Sequence, residues 1–433
     1  MIKPLTKKKI AFYTFGCRLN QAETAIIRNS FRDAYEIVGI EEPADIVVIN
    51  TCTVTENGDA DTRHLVSKIN RLNPQTRIAL IGCQAQVQKK RLADLPNVYW
   101  VVGNAKKFDL ASILEETENI LRPQVITPTI SRHAFTIPIA GIDLTHTRAN
   151  LKIQDGCDFF CSFCEIPYAR GRARSREFND ILKEAHLLAK AGHQEVVLTG
   201  INIGTYSDGG KTIIDVIDAL EEIDLIKRIR ISSIEPTTIP MRLIDKMVQK
   251  SKLCRYVHIP LQSGHKDILK KMERKYTVEE FSDFVQMAFA KVPDICIGTD
   301  VIVGFPGEEE KEFSATYELL RELPIHYFHV FSYSKRMLAK SRLYKEEVSV
   351  SVIQKRSEIL RNLSHRKRRL FYESQLEKIY DVLFENKKNG FWVGLTANYI
   401  RVCAESHQDL SNTFISIRLK TINGSSVVGE FPS

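Results

Sequence analysis

The feature that most constrains the fold of this chain is a repeated alternation of two patterns. Short runs of β-branched and apolar residues predict buried strands, and longer segments with apolar residues every three or four positions predict amphipathic helices. Strands that alternate with helices form parallel sheets. The sequence therefore predicts an α/β fold class, and its 433 residues suggest about three domains.

Residues 1–125 predict a small doubly wound domain. The predicted strands cover residues 10–15, 45–50, 77–81 and 98–102, and the last is followed by a predicted helix over residues 110–121. A cysteine follows each of the first three strands: Cys17, Cys52 and Cys83. Because the carboxyl ends of parallel strands meet at one sheet edge, these thiols are expected to converge on a metal cluster. Three buried structural thiols are the alternative. Gly16 and Gly82 precede two of the cysteines and are expected to allow a close backbone approach.

Residues 135–367 predict a partial (β/α)6 barrel. Its six strands are predicted at residues 151–154, 195–199, 228–232, 256–261, 295–303 and 327–332. In such barrels the functional groups lie at the carboxyl ends of the strands. Cys157, Cys161 and Cys164 follow the first strand and predict a cluster with three thiolate ligands and one open metal position. S-adenosylmethionine can occupy an open iron through its amino and carboxylate groups. A zinc knuckle or a chance group of buried thiols is the alternative.

The other strand ends are rich in groups suited to hold S-adenosylmethionine. The predicted contacts are Phe163 from the cysteine loop and, at the strand ends, Thr199, Gly200, Asn202, Ser232, Glu235, His258, Gln262, Asp300 and Gly304. Ordinary turn chemistry explains any one of them equally well. Glu235 has helix capping as its alternative role, and His258 has the role of a core histidine with satisfied hydrogen bonds.

The last part of the chain predicts an RNA-binding region. Residues 355–369 carry seven basic residues and one acidic residue in a helical pattern. The basic residues are expected to contact phosphates, and a helix whose charges are merely solvated is the alternative. Residues 368–433 contain five short strands, which predict a small antiparallel OB-like β-barrel. The predicted RNA contacts here are Arg366, Lys367, Arg368, Arg369, Trp392 and Tyr399. For the aromatic residues, a place in the barrel core is the alternative.

The composition and charge of the chain indicate its cellular environment and its possible partners. The net charge of +8 permits a nucleic-acid partner without requiring one. Nine cysteines without a signal peptide predict a reduced, cytoplasmic protein, and no apolar run is long enough to predict a transmembrane helix.

Taken together, these motifs resemble the methylthiotransferase family of radical S-adenosylmethionine enzymes, with the terminal barrel resembling a TRAM domain. The segments that carry the resemblance are residues 16–20, 50–55, 82–86 and 166–172, beside the C-x-x-x-C-x-x-C loop. They are most similar to the branch that acts on N6-threonylcarbamoyladenosine next to the tRNA anticodon. The branches that act on isopentenyladenosine, or on an aspartate of a ribosomal protein, are the alternatives. A non-catalytic RNA-binding protein with structural zinc is an alternative of another class.

The resemblance implies two [4Fe-4S] clusters, one on Cys157, Cys161 and Cys164 and one on Cys17, Cys52 and Cys83. The first would reduce S-adenosylmethionine to a radical that takes hydrogen from C2 of the adenine, and the second would hold the sulfur that is methylated and transferred. The implied partners are the tRNA anticodon stem-loop, an electron donor such as flavodoxin or ferredoxin, and a sulfur source. Arg170, Arg172 and Arg174 are expected to contact substrate phosphates, or to support the cluster.

Two positions depart from the family pattern. Glu165 follows the third cysteine of the loop, where relatives usually carry an apolar residue. Residues 336–340 replace a common Gly-Thr-containing turn. The first departure is expected to alter the electrostatics of the cluster, and the second leaves the loop after the sixth strand uncertain in form.

Overall fold

The computed structural model describes residues 7–53, 56–117, 119–138, 146–249 and 251–432. By its contacts the chain forms two compact units, each assembled from three segments. The first unit consists of Met1–Asp143, Lys152–Glu184 and Ser334–Arg342, and the second of Leu144–Leu151, Ala185–Tyr333 and Leu343–Ser433. This division differs from the predicted boundaries after residues 125 and 367, which stay a prediction.

The amino-terminal part of the first unit is a six-stranded parallel sheet with helices. Its strands are β1 (Lys8–Thr14), β2 (Tyr35–Val38), β3 (Ile46–Thr51), β4 (Arg77–Gly82), β5 (Val98–Val102) and β6 (Gln124–Ile126), and its helices are α1 (Arg18–Asn29), α2 (Glu56–Leu72), α3 (Cys83–Val87), α4 (Lys89–Ala93) and α5 (Leu110–Glu116). The strand order is β2-β1-β3-β4-β5-β6. The predicted doubly wound domain is confirmed, with β2 and β6 as strands that the sequence pattern missed. Separate apolar clusters cover the two faces of this sheet, and β3 is buried along its whole length.

Helix α5 is shorter than predicted. It ends at Glu116, five residues before the expected end. The hydroxyl of the next residue, Thr117, accepts a hydrogen bond from the indole N–H of Trp100 at 2.8 Å and donates to the carbonyl of Ile113. A side chain that is engaged by the neighbouring strand marks the end of this helix.

The central region alternates strands and helices as predicted. Its elements are β7 (Arg148–Lys152), β8 (Gln154–Asp155), α6 (Ile166–Arg170), β9 (Arg174–Ser175), α7 (Phe178–Lys190), β10 (Glu195–Thr199), β11 (Ser207–Asp208), β12 (Lys211–Thr212), α8 (Ile213–Glu221), β13 (Arg228–Ile231), α9 (Met241–Val248), β14 (Tyr256–His258), α10 (Lys266–Lys271), α11 (Val278–Lys291), β15 (Cys296–Val303), α12 (Glu310–Glu322), β16 (Tyr327–Ser332) and α13 (Val350–Glu373). The long strands form two three-stranded sheets, β13-β10-β7 and β14-β15-β16. A parallel bridge between Ser233 and His258 joins the two sets, so the six strands follow chain order, as in a partial barrel.

The carboxyl-terminal region is a closed barrel, which confirms the predicted antiparallel fold. Its strands are β17 (Ile379–Lys388), β18 (Phe391–Thr396), β19 (Arg401–Ala404), β20 (Phe414–Asn423) and β21 (Ser426–Glu430), in the order β17-β18-β19-β21-β20. Four of its pairings are antiparallel, and β19 pairs with β21 in parallel. Closure removes the exposed strand edges that would otherwise invite aggregation.

Candidate active site

The three strand-end cysteines of the first unit lie at one edge of its sheet. β1, β3 and β4 are neighbours, and Cys17, Cys52 and Cys83 follow their carboxyl ends. The order of the sheet reverses between β1 and β3, which is where open α/β sheets bind ligands. Gly16, which directly precedes Cys17, lies against the side chain of Cys52. The convergence expected from the sequence is therefore present.

Glycine is required beside this site. Gly16 has a φ of +95°, and a Cβ at that position would lie 2.8 Å from Sγ of Cys52. Gly82 has a φ of +94°, and its Cβ would lie 2.3 Å from Oδ1 of Asn50. Both features agree with the close backbone approach predicted for these glycines.

The chemistry of this donor set fits an iron–sulfur cluster. The three thiols are free of disulfides, as are all nine cysteines of the chain. Nδ2 of Asn104 donates to Sγ of Cys83 at 3.6 Å, and the thiol of Cys17 donates to Oδ1 of Asn20 at 3.9 Å. Soft sulfur ligands suit iron–sulfur clusters, and a donor such as Asn104 at a sulfur tunes them.

The second set of cysteines lies on the loop between β8 and α6. Backbone N–H groups point at two of the sulfurs, from Phe159 to Cys157 at 3.5 Å and from Ile166 to Cys164 at 3.4 Å. The loop is closed by a hydrogen bond from the N–H of Cys164 to the carbonyl of Cys161 at 3.0 Å. Amides directed at sulfur stabilise thiolates, so this loop also fits a cluster with three protein ligands.

A buried network of charges connects the elements that carry the two sets of cysteines. Glu23, on the helix that follows Cys17, accepts from Lys107, from Lys152 at 2.6 Å and from Arg170 at 2.9 Å, and its side chain is fully buried. Burial opposes the ionisation of Glu23, but the charges of Arg170, Lys107 and Lys152 outweigh it and hold the pKa of Glu23 well below its usual value. No local sequence pattern indicates this network, because its members lie up to 147 positions apart.

Asp155 extends the network to the residue that directly precedes Gly156 of the cysteine loop. It accepts from Lys152 at 2.6 Å, from Arg170 at 3.0 Å and from Arg174 at 3.3 Å. Burial opposes its ionisation, yet Lys152 and Arg170 hold the pKa of Asp155 well below its usual value. The network thus fixes α1 and the cysteine loop to each other within one compact unit.

These contacts correct the expectation that Arg170 binds a substrate phosphate. Its guanidinium is buried and bonds Glu23, Asp155 and Asn20, so an RNA backbone has no access to it. The alternative role, support of the cluster, is the one that its position favours. The guanidinium of Arg174 is half-buried and pairs with the same carboxylate of Asp155. Arg172 is exposed, with its guanidinium 4.4 Å from the ring centre of Phe160, and it keeps the predicted role as a proposal.

The two departures from the family pattern contact each other. The guanidinium of Arg336 donates to Glu165 at 3.3 Å, to Thr53 at 2.7 Å and to Asp59 at 2.8 Å. Glu165 also accepts the backbone N–H of Leu338 at 2.6 Å. The side chains of Arg336 and of its three partners Glu165, Thr53 and Asp59 are all buried. Since Thr53 follows Cys52 and Glu165 follows Cys164, this Arg336 cluster (Arg336, Glu165, Thr53 and Asp59) links the chain segments beside both sets of cysteines.

The predicted S-adenosylmethionine contacts belong, apart from Phe163, to the second unit. Thr199 is the last residue of β10, and Ser232 follows the neighbouring strand β13. Both hydroxyls are buried without a hydrogen-bond partner among the described residues. Buried polar atoms are normally satisfied, so two such hydroxyls at adjacent strand ends suit a bound polar ligand. Asn202 lies nearby in sequence, and its Oδ1 accepts from Thr238 at 2.9 Å. Gly200 and Phe163 are half-buried, and their roles stay proposals.

Glu235 and His258 are engaged by protein groups. Glu235 pairs with Arg274, and its side chain makes no helix-capping bond. Burial raises the pKa of Glu235 against the opposing charge of Arg274. His258 contacts Asp300 through Nε2 at 3.0 Å and Tyr327 through Nδ1 at 3.3 Å, so it also satisfies the description of a core histidine.

Two other predicted contacts have clear structural roles. Gly304 has a φ of +80°, and a Cβ there would lie 2.3 Å from Ile353 of α13, so glycine is needed for packing. Gln262 adopts a φ of +68°, and its backbone bridges to Asp300 and Ile302 through hydrogen bonds of 2.8 and 2.9 Å. Their contact with S-adenosylmethionine stays a prediction.

The predicted RNA residues divide into surface and core. Arg366 is exposed, and Arg369 is exposed with Glu373 as its partner at 2.9 Å. Lys367 donates to the carbonyls of Arg321 and Leu323 at the end of α12, which is a structural role. Trp392 is 8 % exposed and belongs to the core of the terminal region, so the expected stacking role for its ring is corrected. Arg368 and Tyr399 lie at a cavity described below.

Two of the remaining three cysteines pack in an apolar core. Cys254 and Cys296 are buried in the same apolar cluster as the barrel residues, and burial raises the pKa of Cys254 to about 11 and that of Cys296 to about 12. Thiols with such pKa values stay protonated at neutral pH and are poor metal ligands. Cys403 lies on β19.

Comparison with known families matches two parts of the chain. Residues 151–320 match the Radical SAM superfamily, and residues 9–103 match the Uncharacterized protein family UPF0004. A partial barrel with a three-cysteine loop after its first strand therefore belongs to an enzyme that uses S-adenosylmethionine with a [4Fe-4S] cluster.

Curated relatives cover nearly the whole chain. One is the Threonylcarbamoyladenosine tRNA methylthiotransferase MtaB of Aquifex aeolicus, which is 38% identical over 93% of this chain and 98% of the relative. A protein of the same name from Bacillus subtilis is 36% identical over 95% and 93%. The tRNA-2-methylthio-N(6)-dimethylallyladenosine synthase of Thermodesulfovibrio yellowstonii is 33% identical over 88% and 89%. The chain belongs to the radical S-adenosylmethionine methylthiotransferase family.

Solved structures agree in fold. The radical S-adenosylmethionine methyltransferase TsrM from Kitasatospora setae, with cobalamin and a [4Fe-4S] cluster bound, aligns with a TM-score of 0.54 at 14% identity over 76% of this chain and 72% of TsrM. Family membership makes the protein a transferase and sets aside the reading as a non-catalytic zinc protein. Within the described residues, no helix has both the length and the apolar character needed to cross a membrane.

Proposed function

We propose that this enzyme adds a methylthio group to C2 of N6-threonylcarbamoyladenosine beside the anticodon of tRNA. Relatives with that substrate in their names match at 38% and 36% identity over more than nine-tenths of this chain. Relatives named for dimethylallyladenosine match at 33% and 30% identity. The higher identity over nearly the full length supports the first substrate over the second.

The proposal includes two clusters, and the observation that carries it is the convergence of three cysteines after β1, β3 and β4. Cys157, Cys161 and Cys164 would hold the cluster to which S-adenosylmethionine binds, and Cys17, Cys52 and Cys83 would hold the other. When bound, these cofactors supply the reductive cleavage and the sulfur transfer.

The rest of the protein's part is to bind and to orient. Arg170, fixed by Glu23 and Asp155, would keep α1 and the cysteine loop in register. The buried hydroxyls of Thr199 and Ser232 would bind polar atoms of S-adenosylmethionine. An electron donor such as flavodoxin or ferredoxin and a sulfur source complete the proposed set of partners.

The test is the nucleoside content of tRNA from cells with and without the gene, measured by mass spectrometry after complete digestion. The proposal expects loss of the methylthio form of threonylcarbamoyladenosine with accumulation of its unmethylthiolated precursor. Loss of the methylthio form of isopentenyladenosine instead would favour the second substrate. An unchanged tRNA profile would move the activity to a protein substrate such as an aspartate of a ribosomal protein.

A further inference from the structure

A cavity of about 280 Å³ lies within the second unit, bordered by β16, α13 and the terminal barrel. Three arginines line it: Arg148 from β7, Arg368 from α13 and Arg401 from β19. These three side chains are separated by up to 253 positions in the sequence, so only the fold gathers them. The volume is near the lower end of the range for ligand sites, roughly 300 Å³.

The charge of this arginine cavity is only partly balanced. Arg148 pairs with Glu385 at 2.5 Å, while its Nη1 is buried without a hydrogen-bond partner among the described residues. In the described part of the chain, no carboxylate forms an ion pair with Arg368 or Arg401. Three guanidinium groups with a single carboxylate make an electropositive cavity with donors left over for an anion.

The walls between the arginines are aromatic. The rings of Tyr327 and Tyr399 stack at 5.8 Å between centroids with an angle of 19°, and the guanidinium of Arg368 lies 4.9 Å from the centre of Tyr327. His326 adds no charge: its Nδ1 accepts the N–H of Ile297 at 2.9 Å, and burial together with the charge of Lys367 lowers its pKa to about 3. Cations set in an apolar aromatic wall suit a ligand with an anionic group and a flat, weakly polar part.

We propose that the arginine cavity binds a phosphate-bearing nucleotide of the RNA substrate, with Arg368 and Arg401 on the phosphate and the aromatic wall against the sugar and base. This inference rests on the proposed function for the identity of the RNA. The structure also separates two neighbouring residues of the basic segment, because Lys367 is occupied by the end of α12 while Arg368 faces the cavity.

The experiment measures the binding of a labelled anticodon stem-loop RNA to the full-length holoenzyme by fluorescence anisotropy over a series of salt concentrations. Arg401→Ala and Arg368→Ala are compared with Arg242→Ala, which removes an exposed arginine of α9 outside the cavity and outside the basic segment. The expected result is an affinity about tenfold lower for each cavity variant, and a slope of log K against log salt that is shallower by about 0.7 to 0.9. The Arg242 variant is expected to bind within twofold of the wild type.

Competition with AMP and with inorganic phosphate identifies the source of the phosphate. Displacement of the stem-loop by AMP in the wild type, and a weaker effect of AMP on Arg401→Ala, would support the site. Affinities of the cavity variants equal to that of Arg242→Ala would overturn it, provided that thermal unfolding shows all three to be folded. If the wild type binds AMP through Arg401 but does not bind the stem-loop, RNA is refuted as the source of the phosphate and the proposed function is weakened. If the wild type binds the stem-loop and Arg401→Ala binds it equally well, the cavity alone is refuted.

Discussion

Replacement of Arg336 by alanine is the perturbation whose effect the structure specifies most fully. The side chain is 4 % exposed and donates to Glu165, Asp59 and Thr53. Its removal leaves two buried carboxylates without their shared cation. Removing one partner of a buried ion pair costs about 3–5 kcal/mol, because the remaining charge stays desolvated.

The expected cost lies at the lower end of that range. Glu165 retains the N–H of Leu338 and the hydroxyl of Thr53, and Asp59 retains the side-chain amide of Gln88 at 2.7 Å. We therefore expect Arg336→Ala to lower the stability of the cysteine segments by about 3 kcal/mol, which corresponds to a roughly 100-fold faster exchange of their protected amides.

Hydrogen-exchange mass spectrometry of peptides that cover residues 50–53 and 161–166 measures this effect directly. Arg342→Ala is the matched control, since that arginine is exposed in the same segment of the first unit. The double variant Glu165→Leu with Arg336→Ala should recover about 1–3 kcal/mol relative to the sum of the single variants, because fewer charges are then left unpaired. Exchange in Arg336→Ala equal to that in Arg342→Ala would refute the reasoning, and so would strict additivity of the double variant.

Three other predictions follow from the cysteines and from buried titratable groups. Cys161→Ala should abolish cleavage of S-adenosylmethionine, whereas Cys83→Ala should leave cleavage without methylthiolation; equal loss of cleavage in two folded variants would contradict the division between two sites. Glu23→Gln should destabilise the apoprotein by about 3 kcal/mol or more, because three buried cations lose their common carboxylate, and a thermal melt within 1 °C of the wild type would argue against this. His326 stays neutral in the folded state down to its pKa of about 3, while an unfolded histidine binds a proton near pH 6.5. The free energy of unfolding should therefore fall by about 1.4 kcal/mol per pH unit below pH 6. In denaturant titrations His326→Asn should flatten that slope, and the exposed-site variant His407→Asn should not.

Much of the architecture can be read from the sequence because it depends on local patterns. The strands at residues 98–102, 195–199 and 327–332 were predicted at their observed bounds, since each is a short apolar run closed by turn residues. The positions of the six cysteines relative to strand ends follow from the same patterns. Once the strands are parallel, the rule that their carboxyl ends share one edge places Cys17, Cys52 and Cys83 together.

The tertiary structure alone decided which charged residues support the site and which stay exposed at the surface. Arg170 and Arg172 are two positions apart in a basic segment, yet the first is buried against Glu23 and the second is exposed. In the sequence, Arg336 and Glu165 are two separate departures from the family pattern, whereas in the fold their side chains are in contact across 171 positions. Local periodicity records which side of a helix or strand faces the core, but the partner of a buried charge is set by the packing of distant elements, where desolvation makes an unpaired charge costly.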